Sequence, residues 1–165
     1  MATNKPSTHL SKSARKREVQ ELQALGEQLV GLSDEQISSM ALEEKLHDAI
    51  VAAAGIKSRG ALRRQYQLIG KFMRDVDPEP IRLALETFQR HEKMQKKIFK
   101  QAEHWRDRIV HGELEALDEF FELTGSVSED LTSLTKEFSA STADSVRKRL
   151  RRKIFRRVHE ELTEY

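Results

Sequence analysis

Apolar residues recur along one segment at steps of four, three, four and three: Leu62, Tyr66, Ile69, Met73 and Val76. That spacing stacks them on one face of a helix. Lys57, Arg63, Arg64, Lys71 and Arg74 fall on roughly the opposite side, at about 100° per residue. Asp75 is the acid that dilutes them. One face suits a protein core, and the other suits something anionic.

The same periodicity places helices along the rest of the chain. Val19, Leu22, Leu25 and Leu29 predict a first helix from about Ala14 to Val30, with Gly31 as its stop. Ser33 and Gln36 have the spacing of a capping box, so a short helix restarts there. Leu42, Leu46, Ile50 and Ala53 mark a third helix, which Gly55 and Gly60 interrupt before the basic helix. Asp77 suits an N-cap and Pro78 the first helical position of the next helix.

From Ile81 to His111 there is neither Gly nor Pro. A continuous helix there would be about 45 Å long, which predicts an elongated shape. Its apolar positions are Ile81, Leu85 and Phe88, then Met94, Ile98, Ala102, Trp105 and Ile109. The phase shifts between the two sets, so each half of the helix serves a different neighbour. Gly112 ends it. Leu114, Leu117 and Phe121 open a short acidic helix that stops at Gly125. Leu131, Leu134 and Phe138 make another, capped by Ser126 or Ser128. Ser141 and Asp144 repeat the capping-box spacing and open a last helix to about Leu162. No period-two strand signal and no internal repeat is present, and the expected fold is all-α.

Composition agrees. Charged residues make up 34% of the 165 residues and aromatics 6%, which favours helix over sheet. The absence of cysteine removes disulfides and thiolate metal sites. No apolar run approaches the roughly 20 residues of a membrane span, and the N-terminus lacks the apolar stretch of a signal peptide. A soluble, cytoplasmic protein is expected.

Charge is segregated in blocks. Residues 32–56 carry five acids and one base, and 57–76 carry six bases and one acid. Residues 112–145 carry nine acids and one base, and 146–165 carry eight bases and three acids. Such blocks govern partner choice more than the net charge of +2 does.

Catalytic patterns are missing. Gly70-Lys71 is followed by Phe72 and has no glycine at phosphate-loop spacing, so it reads as a small residue and a base on a helix. His91-Glu92 has Gln95 where a zinc-protease helix needs a second histidine. His104 and His111 share a face without a third ligand. The pairs Glu43-Glu44 and Asp118-Glu119 diverge by about 100° on a helix. No catalytic residue, metal ligand, cofactor or small-molecule substrate is expected.

The bases carry the functional signal. Arg147 to Arg157 holds eight bases in eleven residues, with Leu150, Ile154 and Val158 keeping an apolar edge. Lys148, Arg152 and Arg156 form a row four apart. Lys12, Arg15, Lys16 and Arg17 make a third cluster at the entry to the first helix. Each cluster alone is explained by a solvated face pairing with the acidic blocks. Three together favour a surface for phosphate backbone. Membrane binding fits less well, because the apolar faces are needed for the core. No RNA-recognition signature is present, and arginine-rich helices without a recognition helix suit folded RNA better than DNA.

The segment Arg63-Arg64-Gln-Tyr-Gln-Leu-Ile-Gly-Lys-Phe-Met-Arg-Asp75, with Pro80-Ile-Arg-Leu-Ala-Leu85, resembles the DarP family of dual-action ribosomal maturation proteins. Ser11-Lys-Ser with Arg17-Glu18 and Leu25-Gly26, then Trp105-Arg-Asp-Arg-Ile109, then Arg152-Lys-Ile-Phe155 with Glu161-Leu162, fit in order. The resemblance spans roughly residues 11–162. It implies a single helical domain over 12–165, which the long helix divides into lobes at 12–90 and 91–165. Residues 1–11 are polar, with Pro6, and are expected to form a flexible tail.

The resemblance also implies a non-enzymatic factor in large-subunit assembly. Its partners would be large-subunit precursors, 23S rRNA and other assembly factors, and its role maturation of the peptidyl transferase centre. Arg63, Arg64, Lys71 and Arg74 become the leading rRNA contacts, with Lys153 and Arg156. Ser128 to Lys136 is acidic where the family carries an Arg/Gln-rich stretch, and no RNA contact is assigned there. The competing readings are a DNA-binding, nucleoid-associated protein and a charge-mediated protein-interaction module.

Overall fold

The computed structural model describes residues 11–112 and 115–165. Among these residues lie eight helices and no strand, so the all-α expectation holds. They are α1 (Lys12–Leu29), α2 (Asp34–Ser39), α3 (Glu44–Ala54), α4 (Arg59–Phe72), α5 (Pro78–Val110), α6 (Ala116–Thr124), α7 (Glu129–Ala140) and α8 (Asp144–Glu164). The expected tail, up to residue 10, and Leu114 lie outside the described residues.

The chain divides into two compact units between Gln89 and Arg90. The first has a core of Leu25, Leu29, Ile37, Leu46, Ala49, Ile50, Ala53, Ile69, Met73, Ile81 and Leu85. There α4 packs against α1 and α3. The α1–α4 approach depends on Gly26: a β-carbon there would lie 2.6 Å from Ile69 Cγ2. Only the C-terminal half of α1 reaches this core, so Val19, read as core-facing, is exposed.

The second core is Ala102, Ile109, Ala116, Phe120, Leu131, Phe138, Leu150, Ile154, Val158 and Leu162. In it α7 packs along α8, and the Trp105 and Phe120 rings meet edge-on at 5.5 Å. Helix α5 supplies Ile81 and Leu85 to one core and Ala102 and Ile109 to the other. This is the physical content of its shift in phase. Met94, at the changeover, is exposed.

Most punctuation follows the local chemistry. Ser33 and Gln36 form the reciprocal capping box, with bonds of 3.0 and 3.3 Å. Asp77 Oδ1 accepts from the N–H of Glu79 at 3.1 Å as α5 opens on Pro78. Gly112 and Gly125 take positive φ at helix ends, 72° and 69°, where glycine avoids the β-carbon clash.

Three helix boundaries differ from expectation. The basic helix ends at Phe72 rather than Val76, and residues 73–76 form the turn that leads to α5. Gly60 lies inside the first turn of α4 rather than before it. Ser141 and Asp144 form no capping box: Ala143 precedes α8, without a side-chain cap. Ser141 instead closes α7, and its carbonyl is taken by Arg147 at 3.0 Å.

Candidate nucleic-acid interface

Helix α4 is held by its apolar stripe. Ile69 and Met73 are fully buried, and Leu62, Tyr66, Phe72 and Val76 are half-buried against the same core. Gln65 Nε2 donates to the carbonyl of Ala49 at 2.8 Å and pins α4 to α3. Gly70 faces α1, where an added β-carbon would come 3.2 Å from Gln23 Cβ. It is a packing residue, and Lys71 beside it points away.

With that face committed, Lys57, Arg63, Arg64, Lys71 and Arg74 are all exposed. None of them makes an ion pair among the described residues. Lys12, Arg15, Lys16 and Arg17 are exposed in the first turns of α1, which Ser11 caps by accepting from the N–H of Ala14 at 3.2 Å. Since α1 packs along α4, Lys12, Arg15, Lys16 and Arg17 share one helix pair with Arg63, Arg64 and Lys71, and Lys57 and Arg74 flank it.

The run on α8 separates into two sets. Arg147 Nη1 donates to the carbonyls of Phe138 and Ser141 at 3.3 and 3.0 Å. Its guanidinium lies 4.1 Å from the centroid of the Phe138 ring. It therefore closes α7, although the sequence placed it among the phosphate contacts. Arg149 pairs with Glu137 at 4.0 Å and Arg151 with Asp107 at 2.6 Å. Arg157 bonds Glu161 at 2.8 Å and Ser128 Oγ at 3.1 Å. Lys148, Arg152, Lys153 and Arg156 remain exposed, without an ion pair among the described residues.

The internal pairs have an electrostatic signature. Asp107 accepts from Arg106 Nε at 2.8 Å and from Arg151 at 2.6 Å. Those bonds, Arg106 first, lower its pKa from 3.8 to about 2, against the opposing cost of burial. Arg108, stacked 4.8 Å from the Trp105 centroid, holds the Glu119 carboxyl below its usual value through a 2.8 Å bond.

A further basic stripe escaped the sequence reading. Arg90, Lys93, Lys97 and Lys100 recur on α5 at steps of three, four and three, and all are exposed. The helical spacing was legible, but Glu92 and the long apolar pattern of this helix concealed it. Among the described residues no three His, Asp or Glu side chains gather as a metal site. Among the same residues no helix is long and apolar enough to cross a membrane.

Comparison with known proteins returns one consistent answer. A family model described as dual-action ribosomal maturation protein DarP matches residues 8–159. The protein of that name from Thiobacillus denitrificans is 46% identical over 100 residues, which cover 61% of this chain and 57% of the relative. Its namesake from Idiomarina loihiensis is 43% identical over 114 residues, 68% of this chain and 67% of the relative. That from Vibrio campbellii is 41% identical over 114 residues, 69% and 65%. The chain thus spans 57% to 67% of the length of these relatives.

Proposed function

This chain belongs to the DarP family of dual-action ribosomal maturation proteins, and from that membership we infer that it is a cytoplasmic ribosome-assembly factor acting by binding rather than by catalysis. Its partners are precursors of the large subunit. Its basic helix faces neutralise 23S rRNA phosphates and hold a local RNA fold while the peptidyl transferase centre matures. Release follows completion of the particle or the action of other factors.

One observation carries this reading. Helix α4 and the turn after it bury Ile69 and Met73 completely, while Arg63, Arg64, Lys71 and Arg74 stand exposed and make no ion pair among the described residues. Like charges at neighbouring helical positions repel. A polyanion relieves that repulsion and releases its own counterions on binding.

Sedimentation of cell extract at low salt tests the reading. The protein should travel with large-subunit and precursor fractions, and its absence from both would overturn the assignment. Changing Arg63, Arg64, Lys71 and Arg74 to Ala should flatten the slope of log affinity against log salt by roughly 3, at about 0.7–0.9 per phosphate contact. Tighter binding to duplex DNA than to large-subunit rRNA at matched salt would favour a nucleoid protein instead.

A further inference from the structure

A second kind of surface lies in the unit that begins at Arg90. Phe99 of α5 meets Phe155 of α8 edge-on, with ring centroids 5.1 Å apart. His159 is 6.4 Å from Phe99 and 5.9 Å from Phe155. The three rings line an open groove of about 520 Å³. Phe99 remains 48% exposed although its neighbours are aromatic and the core of its unit is adjacent. A ring placed only for packing would gain by turning inward.

Arg152 and Arg156 border the same groove, one helical turn apart, exposed and without an ion pair among the described residues. Glu160, the acid at its edge, is 3.4 Å from Arg157 and so partly neutralised.

We propose that this groove receives an unpaired RNA base, stacked on Phe99 and His159, while Arg152 and Arg156 hold the flanking phosphates. The combination of exposed rings and a positive rim is how single-stranded nucleic acid is gripped without sequence preference. A base inside a duplex is stacked on both faces and cannot enter. The groove therefore selects a loop, bulge or strand end. This inference rests on the RNA-binding reading above and adds the form of RNA that one surface accepts.

The test uses the full chain and a fluorescently labelled single-stranded oligoadenylate, with the same length of RNA duplex as control. Single strand should bind more tightly than duplex at matched salt. Phe99→Leu keeps the apolar contact with Phe155 but removes the stacking ring. It should weaken single-strand binding about 5- to 150-fold, as loss of one stacked base does, with the salt slope unchanged. Phe99→Tyr should restore binding. Arg152→Ala with Arg156→Ala should instead flatten the slope.

Single-strand binding left intact by Phe99→Leu overturns the proposal, as does wild-type binding to duplex only. In either case precursor association in the sedimentation experiment can persist, and the assembly reading stands. If the wild type neither binds oligoadenylate nor sediments with precursors, both fall together.

Discussion

Gly26 of α1 and Ile69 of α4 approach so closely that a β-carbon on Gly26 would sit 2.6 Å from Ile69 Cγ2 and 3.1 Å from Met73 Cγ. Ile69 and Met73 are fully buried, and a branched side chain has little rotamer freedom with which to yield. Gly26→Ala gains up to about 1 kcal/mol in helix propensity but overpacks the contact, at a cost of about 1–3 kcal/mol. Overpacking wins, and the urea midpoint should fall. Gly60, with nothing within 4 Å of its would-be β-carbon, is the control. Gly60→Ala should leave stability unchanged or raise it by a few tenths of a kcal/mol.

Arg147 should behave as a structural residue. Arg147→Ala removes two bonds to carbonyls and the stacking on Phe138. The expected loss is about 1–2 kcal/mol, since such bonds contribute about 1 kcal/mol each and part of the site is solvated. Arg147→Lys should not restore it, because an ammonium lacks the planar fork. The salt slope of RNA binding should stay as in the wild type. Arg152→Ala should show the reverse pattern: normal stability and a slope shallower by about 0.7–0.9.

The Asp107 carboxylate gives a pH dependence with a definite sign. Its folded pKa, about 2, lies below the ordinary 3.8. The contribution is therefore complete above about pH 4 and is lost as pH falls toward 2. The stability difference between wild type and Asp107→Asn should shrink across that window. A difference that stays constant from pH 5 to about 2 would show that Arg106 and Arg151 do not hold the charge.

Glu161 is buried on α8, yet it reads in sequence as one of several acids near the terminus. It accepts from Ser126 Oγ at 2.7 Å and pairs with Arg157 at 2.8 Å. Arg157 in turn donates to Ser128 Oγ, the cap of α7. Glu161→Ala should cost about 1–2 kcal/mol, at the lower end for a broken pair because the Arg157 side chain is 37% exposed. Thermal unfolding monitored at Trp105, in the same unit, is the readout.

Much of this architecture was legible in one dimension. The periodicity of Leu62, Tyr66, Ile69, Met73 and Val76 named the buried face of α4, and by exclusion the faces of Arg63, Arg64, Lys71 and Arg74. Helix ends were legible wherever the signal was local, as with the Ser33–Gln36 box and Asp77-Pro78. They failed where the partner was remote: Ser141 has a capping spacing, but Arg147 from the next helix claims its carbonyl.

The sequence by itself determined that the chain is helical, which stripe of each helix is apolar, and how charge is divided into blocks. These are properties of neighbours three and four residues apart, fixed by the pitch of the helix. The tertiary structure alone decided which bases of the α8 run are spent. Arg147, Arg149, Arg151 and Arg157 meet partners on α5, on α7, at the Ser128 cap and along α8 itself. Lys148, Arg152, Lys153 and Arg156 make no ion pair among the described residues. It alone brought Phe99 within 5.1 Å of Phe155, fifty-six positions on. Pairing and stacking depend on distance in space, and helix packing sets that distance through contacts such as Gly26 against Ile69.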